Sequence, residues 1–290
     1  IGIHNLVVLE SGTVLIQYDG IYRYNGESGC ARRVFGFREN SVRTPLKNGF
    51  VLDEQTGNVY WGEYRISRRE PVKIFRGTED GKKWEECFRF PAGRIRHVHS
   101  IVPDRFRNRL WICTGDSNEE AALFYTDDDF KSVHVFNGGS QSWRMVSLIP
   151  AENALYWGSD AGKDAPPNVL NYVYKWDFTE NRKVRLACID KPAYYSTRLN
   201  NGTMLIGVHY EPETGRNVSK SAELWASIDG DGWQKIFTVA YKPFHRKTVT
   251  DYASIFLPSG DGTASSVFFT LLNVQQHDFS LMRIDFGCEK

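Results

Sequence analysis

The residues of this 290-residue chain best able to do chemistry are two closely spaced pairs and a scatter of carboxylates. His97-Val98-His99 sets two imidazoles two positions apart, and in an extended segment that spacing turns both to one side. Tyr194-Tyr195 pairs two phenols. Carboxylates stand at Glu63, Asp116, Asp160, Glu211 and Asp251, with Arg96, Gln141, Trp143, Arg144, Thr197 and His209 beside them in sequence. Glycoside hydrolysis needs an acid carboxyl and a base or nucleophile carboxylate flanking one bond. Asp116 and Asp160 are the expected pair, and Arg96 and Arg144 would hold an anionic or hydroxyl-rich sugar. The same residues offer a second chemistry, β-elimination on a uronate glycan. His97 or His99 would take the proton, Arg144 would neutralise the carboxylate, and Tyr194 or Tyr195 would protonate the leaving oxygen. A third reading is a glycan- or protein-binding surface without turnover. His97 and His99 also suggest a metal pair, whose shell Asp116 and Asp160 could complete. No third ligand is spaced with them in sequence, so neither a metal nor a cofactor is expected. The plain alternative is two structural histidines with satisfied partners.

Something must bring these scattered positions together, and the pattern around them is a repeat. Residues 97–102, 109–114, 121–126 and 132–136 read as four short strands, and Gly138-Gly139 then breaks the chain. The same phrase fits units near 1–38, 39–91, 92–139, 140–190, 191–243 and 244–290. Second strands align as Val59-Tyr60-Trp61-Gly62, Leu110-Trp111-Ile112-Cys113, Leu155-Tyr156-Trp157-Gly158 and Met204-Leu205-Ile206-Gly207. A period of about 48 residues suits a propeller blade of ~40–50. The expectation is a single all-β domain over 1–290, a six-bladed β-propeller of four-stranded antiparallel blades, with five or seven as the neighbouring counts. The sixth unit is short of a strand, and an N-terminal segment is expected to complete it. Trp61, Trp111 and Trp157 are expected in the core.

Two units carry [ST]-x-D-G-x-x-W between their third and fourth strands: Thr78-Glu79-Asp80-Gly81-Lys82-Lys83-Trp84 and Ser227-Ile228-Asp229-Gly230-Asp231-Gly232-Trp233. A decayed copy is Thr126-Asp127-Asp128-Asp129. A short polar side chain and an Asp can tie down a turn by bonding its amides, and Trp can anchor it. The pattern resembles the Asp-box or BNR-repeat proteins, which include sialidases and other carbohydrate-active propellers. The resemblance implies that the boxes are structural and lie on the face opposite the active site. Sialidases also carry an FRIP-like Arg, an Arg triad and a Tyr/Glu nucleophile pair; this chain has no FRIP-like motif. If the boxes mark one face, the other receives the loops entering first strands and leaving second strands. Those loops hold the candidates named above, a set suited to an oligo- or polysaccharide.

Composition excludes several classes. Hydrophobic residues make up 41%, enough for a large core, and the formal net charge of +1 lacks the basic footprint of a nucleic-acid binder. No apolar run approaches the roughly 20 residues of a membrane span. Five cysteines without a CxxC pair suggest neither a disulfide framework nor a zinc site. Cys113 and Cys188, inside apolar patterns, are expected to be buried. Compartment and oligomeric state stay open.

Overall fold

A computed structural model describes residues 3–47, 49–67, 69–212, 218–243, 251–262 and 264–287. The chain divides into two compact units, Ile1–Gly139 and Ser140–Lys290.

The first unit holds three four-stranded sheets. One is β1 (Asn5–Val8), β2 (Val14–Gln17), β3 (Gly20–Tyr24) and β4 (Ala31–Gly36). The next is β5 (Phe50–Asp53), β6 (Asn58–Gly62), β7 (Val72–Thr78) and β8 (Lys83–Phe90). The third is β9 (His97–Asp104), β10 (Arg109–Gly115), β11 (Ala122–Thr126) and β12 (His134–Gly138). The second unit follows a short 3-10 turn over Gln141–Trp143. It holds β13 (Ile149–Ala151), β14 (Ala154–Gly158), β15 (Tyr172–Asp177) and β16 (Arg182–Cys188), then β17 (Ala193–Arg198), β18 (Met204–Val208), β19 (Ser221–Ser227) and β20 (Gln234–Ala240). Last come β21 (Ser254–Phe256), β22 (Ser266–Leu272) and β23 (Leu281–Asp285). Each sheet is an antiparallel meander in chain order, and the six are the blades of a six-bladed β-propeller.

Within a blade, burial falls from inside to outside. The second strands β10, β14 and β18 are buried at nearly every position, and Trp61, Trp111 and Trp157 are fully enclosed. Fourth strands are the most open: β16 has no buried position, and β20 has one. Each core cluster is shared by two consecutive blades of one unit; one joins Tyr60, Val72 and Ile74 to Val98, Ile101 and Ile112. Glycine ends several second strands for a packing reason. A Cβ on Gly62 would stand 2.5 Å from the Val98 Cβ, and one on Gly158 would stand 2.3 Å from that of Ala193. The next blade's first strand occupies the space a side chain would need.

The box turns keep the expected chemistry in two copies. The Asp229 carboxylate accepts from the Asp231 and Gly232 amides and the Ser227 hydroxyl, and the Trp233 indole donates to the Gly230 carbonyl. In the decayed copy, Asp128 accepts from the Ser132 amide and the Thr126 hydroxyl. The box at Asp80 works differently. Its carboxylate reaches the preceding blade and pairs with Ser11, Thr13 and the Arg23 guanidinium. Asp129 repeats this on Tyr60 and Arg76, and Asp231 on Lys175 at 3.3 Å. Arg23, Arg76 and Lys175 each lie on the third strand of the preceding blade. The boxes thus fasten blade to blade as well as closing turns.

Two expectations need correction. The N-terminal strand β1 pairs with β2 in the first sheet, because Asn5–Val8 finds its register against Gln17–Val14. The last sheet has three strands among the described residues. Cys188 is exposed, since it ends the outer strand β16 and its thiol turns to the Asp190 carboxylate; Cys113, in an inner strand, is buried. Cys288 lies outside the described residues. Among the described residues no helix is long and apolar enough to cross a membrane.

Candidate functional site

A first strand of each unit departs from regular pairing at the residue of interest. Between β9 and β10, Ser100 faces Cys113 and Val98 faces Thr114, so His99 is an extra, bulged residue. Between β17 and β18, Ala193 faces Val208 and Tyr195 faces Gly207, so Tyr194 is the extra residue. A bulge re-aims a side chain that strict alternation would send elsewhere. The other first-to-second strand pairings run without a register shift.

In the first unit the bulge joins His99 to His97. Their Nε2 atoms lie 3.0 Å apart, and each is 3.4 Å from Asp116 Oδ1. Both rings are buried, while the Asp116 side chain keeps 12% of its surface exposed. His97 Nδ1 donates to the Arg65 carbonyl at 2.5 Å, and Tyr64 stacks on the ring at 4.1 Å. Arg96 faces Asp116 Oδ2 at 3.2 Å and Glu120 at 3.4 Å. Burial alone would raise the Asp116 carboxyl, but hydrogen bonds from His97 and His99 outweigh it and hold the group well below the usual carboxylate range. Glu63 is fully buried and accepts from the Arg43 and Lys73 amides and the Arg65 guanidinium. It anchors the segment whose carbonyl orients His97.

In the second unit the bulge carries Tyr194 to the Glu211 carboxylate, to which its hydroxyl donates. The other Glu211 oxygen accepts from the Lys163 amide at 2.8 Å. Buried Arg144 donates to Asp160 at 3.1 Å and to Asp164 at 2.8 Å, with Gln141 at 3.5 Å. Burial, then the charges of Asp160 and Glu211, push the Tyr194 phenol well above its ordinary value. Tyr252 is raised by burial and by Glu211, and Lys163 lies over its ring at 5.7 Å. His209 packs beneath Tyr194 at 4.3 Å and bonds Ser254.

Other expected site residues are placed elsewhere in that unit. Tyr195 belongs to the apolar core against Phe256. Trp143 stacks on Trp157 at 5.0 Å with Lys183 over its face, so its ring is spent inside the protein. Thr197 is buried and donates to the Gly260 carbonyl. Asp251 is exposed and accepts from the Tyr241 hydroxyl. Arg65, which with Arg68 and Arg69 reads in the sequence as a solvated basic cluster, is instead largely buried because its guanidinium pairs with Glu63. Glu120 and Asp164 carry no sequence signal beyond standing four residues after Asp116 and Asp160.

No family model matches the chain, and no curated protein matches it. Solved structures do. A protein of a nidogen/laminin complex is 12% identical, with a TM-score of 0.54 over 89% of this chain and 84% of that one. The GH74 xyloglucanase from Xanthomonas campestris is 12% identical, with a TM-score of 0.55 over 96% of this chain and 51% of that one. An oligogalacturonate lyase in complex with manganese is 10% identical, with a TM-score of 0.52 over 80% of this chain and 64% of that one. This chain therefore spans about half the length of the xyloglucanase. At these identities the likeness is one of fold. The propellers that share it include carbohydrate-active enzymes.

Proposed function

We propose that the chain is an Asp-box, sialidase-like propeller that hydrolyses glycosidic bonds of an acidic oligo- or polysaccharide. The observation that carries this reading is the Tyr194 hydroxyl donating into the buried Glu211 carboxylate, with the Arg144–Asp160 pair in the same unit. A phenol raised by burial is a poor nucleophile until a base takes its proton, and Glu211 is in place to take it as the oxygen attacks. The Tyr194 oxygen would bond to the anomeric carbon, the bond to the leaving oxygen would break, and water would later release the sugar. Arg144 would bind the substrate carboxylate. That contact would draw Arg144 from Asp160, and a buried carboxylate without its cation rises toward protonation. Asp160 would then supply the proton to the leaving oxygen. Relative to the pair expected from sequence, this reading keeps Asp160 and replaces Asp116 with Glu211.

A panel of acidic and neutral glycans, assayed for reducing-end release and for ultraviolet absorbance, tests the reading. Release from acidic glycans, lost in Glu211→Gln, is the expected result. Products absorbing as unsaturated uronates would assign elimination instead. Binding without product would assign a recognition module.

A further inference from the structure

We propose that His97, His99 and Asp116 form a binding site for a divalent first-row transition ion. The cluster belongs to the first unit, and the Tyr194 chemistry makes no use of it. Its three inner atoms, His97 Nε2, His99 Nε2 and Asp116 Oδ1, form a triangle with sides of 3.0, 3.4 and 3.4 Å. Its corners lie about 1.9 Å from its centre, so an ion ~2.1 Å from each atom would sit a little under about 1 Å out of the plane. The same bond length gives an angle of about 91° between the imidazoles and about 108° from each to the carboxylate. All three ligands would occupy one side of the ion. These separations let one ion reach all three atoms at ordinary bond lengths, and three protein ligands are the number typical of catalytic rather than structural sites.

The surroundings match those of a metal-binding histidine. A ligating imidazole usually donates its second nitrogen to a carbonyl, which fixes the tautomer and aims the lone pair. His97 does this through Nδ1 to Arg65, and Tyr64 holds the ring plane. Arg96 occupies Asp116 Oδ2 and leaves Oδ1 to the cluster. Two imidazoles and one carboxylate suit zinc, manganese or cobalt, whereas calcium and magnesium prefer oxygen donors alone. The competing arrangement is a hydrogen-bonded trio in which one imidazole donates to the other.

The test uses the full chain after dialysis against a chelator, titrated with Zn²⁺, Mn²⁺ and Ca²⁺ by calorimetry and thermal melting. One equivalent of Zn²⁺ is expected, bound more tightly than Mn²⁺, with a rise of several degrees in Tm; Ca²⁺ is expected to leave both signals unchanged. His99→Gln and Asp116→Asn should each weaken Zn²⁺ at least about tenfold, and His134→Gln, at an exposed histidine, should not. Should the site variants fail to fold, the wild-type chain still answers. Zn²⁺ should shift the Nε2 ¹⁵N resonances of His97 and His99, and Co²⁺ should give the absorption bands of mixed nitrogen and oxygen ligation. No stoichiometric uptake, uptake indifferent to both site variants, unshifted histidine resonances, or equal affinity for Ca²⁺ would each overturn the proposal.

Discussion

At the residue scale, pairs of neighbours in sequence divide their work. Tyr194 and Tyr195 are adjacent, yet one meets a carboxylate and the other fills the core. Tyr194→Phe keeps the ring and its packing on His209 but removes the proton that Glu211 would take. Turnover on a cleaved acidic glycan should fall about 10²–10⁴-fold, as should that of Glu211→Gln, with melting temperature little changed. Steady-state kinetics beside a thermal melt measures both. Arg144→Gln should act differently. It should raise KM for acidic glycans far more than for neutral ones, because it removes the cation rather than the reacting hydroxyl. Equal losses on both would deny Arg144 a role in recognising the anion. Of this site, the sequence disclosed Tyr194, Glu211, Arg144 and Asp160 as rim candidates. It did not disclose which tyrosine faces which carboxylate, because a one-residue bulge decides that and leaves no mark in composition.

At the element scale, the blades are held by two devices, close packing at strand ends and polar fasteners at the box turns. Gly158→Ala would place a methyl against Ala193, an overpacking of about 1–3 kcal/mol. Chemical denaturation of the variant measures it. The Asp80 fastener should show in the acid range. Burial raises the Asp80 carboxyl, but Ser11, Arg23 and Thr13 together lower it further, so its folded value lies below the ordinary one. An acid with a lowered folded pKa stabilises the protein above its unfolded value, about 3.9, and loses that contribution as pH falls through the folded value. The Tm gap between the wild type and Asp80→Asn should therefore be widest above about pH 5 and close on acidification below it. A gap independent of pH would attribute the effect to turn geometry instead of charge. The box motif itself was legible from its spacing. Its reach to Arg23 was not, because that partner lies 57 residues away.

At the scale of the whole molecule, protection should follow the gradient of burial inside each blade. Second strands such as β10, β14 and β18 are buried at nearly every position, whereas β16 has no buried position and β20 has one. Hydrogen exchange followed by mass spectrometry should find the slowest amides in β10, β14 and β18, and faster exchange in β16 and β20. Uniform protection across each blade would contradict this gradient. The last sheet, three-stranded among the described residues, should exchange sooner than the others, having fewer strands to share its backbone bonds.

The sequence by itself determined the architecture. Six phrases of similar length, strand-favouring aromatics and turn residues at regular spacing are local signals, and local signals survive in a linear text. It also determined which loops hold polar and aromatic residues, since strand order alone assigns the ends. Only the tertiary structure decided what those residues do together. It brought His97, His99 and Asp116 within hydrogen-bonding reach, set Tyr194 on Glu211, and withdrew Tyr195 and Trp143 into the core. Those outcomes depend on single-residue bulges and on contacts between blades. A shift of one residue turns a side chain from one face of a sheet to the other.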